Sequence, residues 1–290
     1  MSIPSIPAYD LPGELPPNRV DWQPDPARAV LLIHDMQDYF LRFYGADNPL
    51  LENLLAKLVA LRDWAHANGV PVVYTAQPAE QPAEDRALLN DMWGPGLTDA
   101  DPALAAIAAP LAPAADDTVL VKWRYSAFQR SSLQDLMREW RRDQLLIGGV
   151  YAHIGCMATA LDAFMRDIQP FLVADALADF SGREHRMALE FVAGRCGAVL
   201  NTAAIVQPAE ALGFDWLRGQ VLPLLEEDAG APDGGDNLVD YGLDSVQVMQ
   251  LLGRWQQCGI KLTFEDLAAA PTLDGWWQLI EQQLERRGAA

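Results

Sequence analysis

The sequence predicts an α/β protein: a three-layer fold with a mostly parallel sheet, followed by a small domain of four helices. Three observations carry this. Over the first two thirds of the 290 residues, short apolar, β-branched runs alternate with helix-period patterns. Only helical patterns follow them. Half of the residues (50%) are hydrophobic, enough for one large core and one small one.

The expected strands are Ala29–His34, 70–76, 118–122, 144–151, 169–174 and a weaker 198–205. Near-continuous apolar strands separated by helices imply a parallel sheet covered on both faces. The helix expected over 50–68 has leucines at helical spacing and Gly69 as a stop signal. Further helices are expected over 131–142, 156–167 and 181–195. Residues 207–213 read as a short junction, which limits any swing between the two parts. Beyond it come a helix over 214–227, a Gly/Asp/Pro loop over 228–236, and helices over 245–258 and 272–287. Trp276, Trp277, Ile280 and Leu284 form one apolar face of the last helix. Pro4, Pro7, Pro12, Pro16, Pro17, Pro24 and Pro26 predict an extended arm over 1–28. The α/β domain is then expected over 29–207 and the helical domain over 208–290.

A net charge of −19 argues against nucleic acid and anionic membranes as partners. Acid is concentrated in residues 220–290, with twelve Asp/Glu against four Lys/Arg. Such a surface suits basic partners, or simply keeps the domain soluble. No run of apolar residues is long enough to span a membrane, and no basic and then apolar leader opens the chain. The three cysteines, Cys156, Cys196 and Cys258, form neither a disulfide framework nor a metal spacing. They fit a reducing cytoplasm. The four histidines show no metal-ligand spacing either.

The run Asn237-Leu238-Val239-Asp240-Tyr241-Gly242-Leu243-Asp244-Ser245-Val246-Gln247 places one serine at the mouth of an amphipathic helix. Ser245 is either the first helical residue or the cap, and Val246, Val248, Met249, Leu251 and Leu252 give the helix an apolar side. A serine after aspartate is, taken alone, usually an N-cap. The N–H groups and dipole there also favour a phosphodiester. The Gly-Leu-Asp-Ser core resembles the attachment motif of acyl and peptidyl carrier proteins. That resemblance implies 4′-phosphopantetheine on Ser245, added by a phosphopantetheinyl transferase. The turn with Gly242, Asp244 and nearby Asp240 is a weak Mg²⁺ candidate, or else a solvated acidic turn.

In open parallel sheets ligands sit beyond the carboxyl ends of the strands. Three segments fall there: Leu31-Leu32-Ile33-His34-Asp35-Met36-Gln37-Asp38, residues 119–128 with Lys122, and Gly148-Gly149-Val150-Tyr151-Ala152-His153-Ile154-Gly155-Cys156-Met157. In this order and spacing they resemble the isochorismatase-like hydrolase superfamily over residues 20–210. Amidases of that superfamily use an Asp, a Lys and a nucleophilic Cys. Asp35 and Lys122 match the first two, Gly155 falls on the Cys position, and Cys156 comes one residue too late. The metal-dependent amidases' Asp-x-His pattern is absent from residues 74–86. The resemblance therefore implies an isochorismatase, with Asp35 as general acid and no metal or redox cofactor. Gln77, Arg86, Tyr125 and Tyr151 become substrate-binding candidates, and Trp93 and Phe43 candidate walls for the ring. The bland readings are a surface arginine for Arg86 and packed rings for the aromatics. Strand alternation puts the His34 side chain on the face opposite Asp35, in a structural role. His153 reads as near the site or as part of a helix turn.

The whole chain, including Ala174-Asp175-Ala176-Leu177-Ala178-Asp179-Phe180-Ser181, resembles the bifunctional isochorismatase and aryl carrier proteins of catecholate, enterobactin-type siderophore synthesis. This implies an aryl-adenylating enzyme and a condensation enzyme of a nonribosomal synthetase as partners, and self-association of the front domain. The alternatives are an amidase of the same fold, opposed by Gly155, and a carrier with a dead front half, opposed by Asp35 and Lys122. A phenazine-type isochorismatase without a carrier is opposed by the tail.

Overall fold

The computed structural model describes residues 3–12, 14–206, 213–226, 230–257 and 260–288. The junction over 207–212, Glu227 at the end of one expected helix and Cys258 lie outside the described residues. The chain divides into two compact units, Met1–Val206 and Gln207–Ala290.

The first unit is built on six strands: β1 (Ala29–His34), β2 (Val72–Ala76), β3 (Thr118–Val121), β4 (Gln144–Val150), β5 (Gln169–Ala178) and β6 (Ala198–Leu200). Their order is β3-β2-β1-β4-β5-β6 and every strand pair is parallel. Alternation along the strands feeds two cores. Leu31, Ile33, Tyr74, Leu146 and Phe171 pack under helix Pro49–Ala67 with Leu54, Leu58 and Leu61. Val30, Leu32, Val73, Leu145 and Leu172 pack under helices Leu133–Glu139, Met157–Phe164 and Gly182–Arg195. The result is three layers. β2 and β3 lie on one side of β1, and β4 to β6 on the other. The strand order therefore reverses between β1 and β4, which is where such folds open a crevice.

Several boundaries differ from expectation. β5 runs four residues longer than expected, and the stretch after Leu200 closes as a helical turn, Ala203–Val206, that buries Ile205. The loop between β2 and β3 contains short helices Ala83–Arg86 and Leu89–Trp93 that periodicity did not reveal. A π-helical turn, Ala152–Cys156, leads from β4 into helix Met157–Phe164. Such turns recur at functional sites.

The proline-rich arm is ordered against the first unit. Ile6 is buried in its core and donates its N–H to the Phe43 carbonyl. Asn18 bonds both the N–H and the carbonyl of Val199, blunting the exposed edge at β6.

The second unit has four α-helices among its described residues: Phe214–Val221, Ser245–Gln257, Phe264–Ala269 and Leu273–Gly288. Its core joins Leu217, Leu238, Leu251, Trp255, Leu267, Trp276 and Ile280. Trp255 and Trp276 meet edge to face at 5.9 Å. The helix Phe264–Ala269 escaped periodicity, although Thr263 and Asp266 form a reciprocal capping box that marks its start. Among the described residues no helix is long and apolar enough to cross a membrane.

Candidate active site

Register places the chemistry of the first unit. His34 at the end of β1 pairs with Thr75 of β2 and with Gly149 of β4. The next residue, Asp35, has φ of 51°, so the chain leaves the extended conformation there. Aspartate tolerates this left-handed geometry better than most residues, and such positions cluster at functional sites. Asp35 is 6% exposed and Lys122 is 4% exposed. Lys122 Nζ donates to Asp35 Oδ2 at 2.9 Å, and Thr75 Oγ1 donates to Oδ1 at 2.6 Å. The Asp35 N–H donates back to Thr75 Oγ1 at 3.1 Å. Burial pushes the Asp35 carboxyl up, but neighbouring His34, the Lys122 charge and the two hydrogen bonds outweigh it and hold the carboxyl below its ordinary range. Asp35 is thus held as a carboxylate with both oxygens engaged.

Asp35 and Lys122 line a pocket with Gln77, Arg86, Trp93, Tyr125, Tyr151 and Gly155. Eight of the nine front-domain residues singled out from the sequence thus converge. Gln77 is held by a two-way bond between its backbone and the Gln37 side chain, at 2.7 and 2.9 Å. Arg86 is buried, with Nε donating to the Gly94 carbonyl at 2.9 Å. Burial lowers its pKa, and no carboxylate is paired with it among the described residues. Trp93 Nε1 donates to the Tyr125 hydroxyl at 2.9 Å, tying two pocket residues together. Tyr151 donates its hydroxyl to the Phe40 carbonyl at 2.8 Å, so it offers the pocket chiefly its ring.

Phe43 is the exception. It packs on Tyr39 at 5.7 Å, under the Arg42 guanidinium, and does not line the pocket. Tyr39, Phe40 and Phe180 form that wall instead. Helical turns at Asp38–Leu41 and Arg42–Tyr44 rotate Phe43 away from the cavity, a geometry that sequence order conceals. Arg124 is a further lining cation absent from the sequence reading, and its Nη1 also donates to the Asp85 carbonyl. Nothing in the local sequence around Phe180 marks its ring as a pocket wall.

His34 also departs from expectation. Its ring does not turn away from Asp35: Nδ1 lies 3.6 Å from Asp35 Oδ2 and 2.8 Å from the Val150 carbonyl oxygen. Alternation fails because Asp35 is no longer extended. Burial pushes the His34 imidazole down to about 4, so it is neutral near pH 7. Cys156 is buried among apolar side chains, and burial raises its thiol well above the ordinary range. His153 is held by Asp179, with its N–H and Nδ1 each 2.6 Å from a carboxylate oxygen.

In the second unit Asp244 and Gln247 cap each other: the Gln247 N–H donates to Asp244 Oδ1 and the Asp244 N–H to Gln247 Oε1, both at 2.8 Å. Asp244 is therefore the cap, and Ser245 is the first helical residue, exposed to solvent. Val239, Val246 and Met249 are exposed apolar neighbours in sequence. Gly242 turns at φ of 88°. Among the described residues no group of three or more His, Cys, Asp or Glu converges as metal ligands, and the Glu226 side chain packs beside Gly242 in the Gly242–Asp244 turn.

A doubly wound sheet with a buried acid–lysine pair at its switch point, followed by a helical unit with a serine at a helix start, defines a two-part protein. The isochorismatase domain matches residues 29–204 and the phosphopantetheine attachment site matches residues 215–280. The chain is 54% identical to enterobactin synthase component B of Escherichia coli (strain K12), over 98% of this chain and all (100%) of that protein. It is 44% identical to the isochorismatase of Bacillus subtilis (strain 168), over 97% of this chain and 96% of that one. A cysteine hydrolase structure from Pseudomonas syringae pv. phaseolicola 1448A superposes with a TM-score of 0.59 at 24% identity, covering 66% of this chain and 96% of that chain. That likeness is one of fold. The chain belongs to the isochorismatase family.

Proposed function

We propose that the protein hydrolyses isochorismate to 2,3-dihydro-2,3-dihydroxybenzoate and pyruvate, and carries 2,3-dihydroxybenzoate as a thioester on Ser245. The observation that carries the first half is a pocket with one enclosed carboxylate, Asp35, among Lys122, Arg86 and Arg124, walled by aromatic rings. Cations and aromatic walls suit a dicarboxylate on a six-membered ring. Relatives named for isochorismatase and enterobactin synthase support the same reading.

In this reading Lys122 and Arg86 bind carboxylates, Gln77 and Tyr125 supply hydrogen bonds, and Tyr151 and Trp93 wall the ring. Substrate carboxylates drawn to Lys122 weaken its hold on Asp35, and exclusion of water raises the Asp35 pKa. Protonated Asp35 gives its proton to the terminal methylene carbon, and the vinyl π pair forms the new C–H bond. Water adds to the resulting oxocarbenium carbon and returns a proton to Asp35. The hemiketal then breaks its bond to the oxygen on the ring, its hydroxyl proton passing to that oxygen, to release pyruvate and the dihydrodiol. Gly155 brings no nucleophile to this sequence of steps.

Ser245 fits as the point of attachment, because Asp244 serves as the cap and leaves the serine hydroxyl at an exposed helix start. The phosphopantetheine arm supplies a thiol for the thioester. Val246 and Met249 are the docking candidates for the transferase, the aryl-adenylating enzyme and the condensation enzyme of the synthetase. A Mg²⁺ ion needed during attachment would meet the Gly242–Asp244 turn only loosely. The same reading assigns residues 1–28 as an arm, 29–207 as the hydrolase and 208–290 as the carrier. It places the protein in the cytoplasm with a self-associating front domain.

The test is pyruvate release from isochorismate by protein dialysed against chelator, followed with a lactate dehydrogenase couple. Rapid release without added metal is expected. No release from folded protein would remove the hydrolase half of the proposal.

A further inference from the structure

The turn after β4 lies against the His34 ring. A Cβ built on Gly155 would stand 2.2 Å from His34 Cε1 and 2.8 Å from Nε2, far inside contact distance. A Cβ on Gly149, at φ of 118°, would stand 2.2 Å from the His34 carbonyl oxygen. Two glycines thus enclose one histidine, one against its backbone and one against its ring. The ring has little room to retreat. It is fully buried, its Nδ1 is bonded to the Val150 carbonyl at 2.8 Å, and its Nε2 lies 3.4 Å from the Tyr125 carbonyl. Both anchors belong to strand ends or loops that line the pocket.

We propose that His34 sets the reaction class of this pocket: its ring takes the volume of any side chain on residue 155, so the turn after β4 presents no nucleophile beside Asp35 and Lys122. Substrates that need only a proton are served, and those that need covalent capture are excluded. Gly155 is then dictated by His34 and not simply a lost nucleophile. His34 is a specificity-determining residue that acts by occupying space: its ring is fully buried and borders the pocket beside Gly155. The inference rests on reading the Asp35–Lys122 pocket as the active site. It does not depend on which substrate turns over there.

The experiment uses the full chain and a double-mutant cycle. Gly155→Ala should lower the melting temperature by several degrees in the native background and have little effect beside His34→Ala. Equal shifts in the two backgrounds would overturn the proposal. Gly155→Cys is then treated with iodoacetamide, and residue 155 is told apart from Cys156 by peptide fragmentation. Beside His34→Ala the new thiol should alkylate at least about tenfold faster than in the single variant, because access controls thiol reactivity. A folded Gly155→Cys single variant that labels as fast as the double would overturn it. If that single variant fails to fold while the double folds, the steric reading is supported. Neither readout involves isochorismate, so failure to release pyruvate and failure of this inference are separate results.

Discussion

Lys122 Nζ lies 2.9 Å from Asp35 Oδ2, with both residues nearly sealed from solvent and 87 positions apart in the chain. The pair favours the ionised form of Asp35, although acid catalysis needs its proton. Asp35→Asn keeps the shape and removes the transferable proton. It should lower pyruvate release by a factor of about 10²–10⁴, the usual contribution of a general acid. Aryl loading on Ser245 should stay at the native rate. A lactate dehydrogenase couple and an acyl-loading assay on one preparation decide this, and undiminished release would remove Asp35 from its role.

Ser245→Ala should have the opposite pattern. Intact-mass measurement after incubation with a phosphopantetheinyl transferase and coenzyme A should show no mass gain, while pyruvate release is unchanged. Asp244 remains as cap, so the helix should keep its stability. A mass gain in the variant would place the attachment elsewhere.

Arg86 and Phe43 separate the pocket as built from the pocket as expected. Arg86→Gln removes a buried charge facing the cavity and should raise KM for a dicarboxylate about ten- to a hundredfold, the range of one charge-assisted hydrogen bond. Phe43→Leu, outside the pocket, should leave KM unaltered. A large KM change in Phe43→Leu would contradict the placement of that ring.

Two buried imidazoles make stability depend on pH. Burial holds His34 and His185 at about 4, below the ordinary value of about 6.5. As pH falls, the unfolded chain takes up these protons first. Stability is therefore full above about pH 6.5 and falls as pH drops toward about 4, by about 3 kcal/mol for each ring. Asp35, with its lowered carboxyl pKa, adds stability that is present above the unfolded carboxylate value and lost only at lower pH. Urea midpoints measured across this window should fall, and His185→Gln should flatten the slope. A midpoint indifferent to pH there would contradict neutral, buried rings.

Thr263→Ala removes the cap of helix Phe264–Ala269 and should cost the carrier unit about 1 kcal/mol. Calorimetry of the full chain should show a lower transition for that unit alone. An unshifted transition would mean that packing of Leu267, not the cap, defines the helix.

The convergence of Asp35, Lys122 and Gly155 on one pocket was legible because a parallel sheet gathers strand ends at one edge, so local order along the chain already implies their meeting. The position of Ser245 at an exposed helix start was legible because its motif is contiguous. His34 was misplaced because alternation holds only while the chain stays extended, and Asp35 breaks it at φ of 51°. Phe43 was misplaced for the related reason that two helical turns rotate it away. The amino-acid order alone determined the fold class, the helical tail and which residues fall at the strand ends, since periodicity and short motifs are local properties. Only the tertiary structure decided that Thr75 completes the Asp35 site, that Arg124 and Phe180 line the pocket, and that the His34 ring fills the space at Gly155. Those contacts depend on strand register and on side-chain volumes meeting across the sheet, which no local pattern encodes.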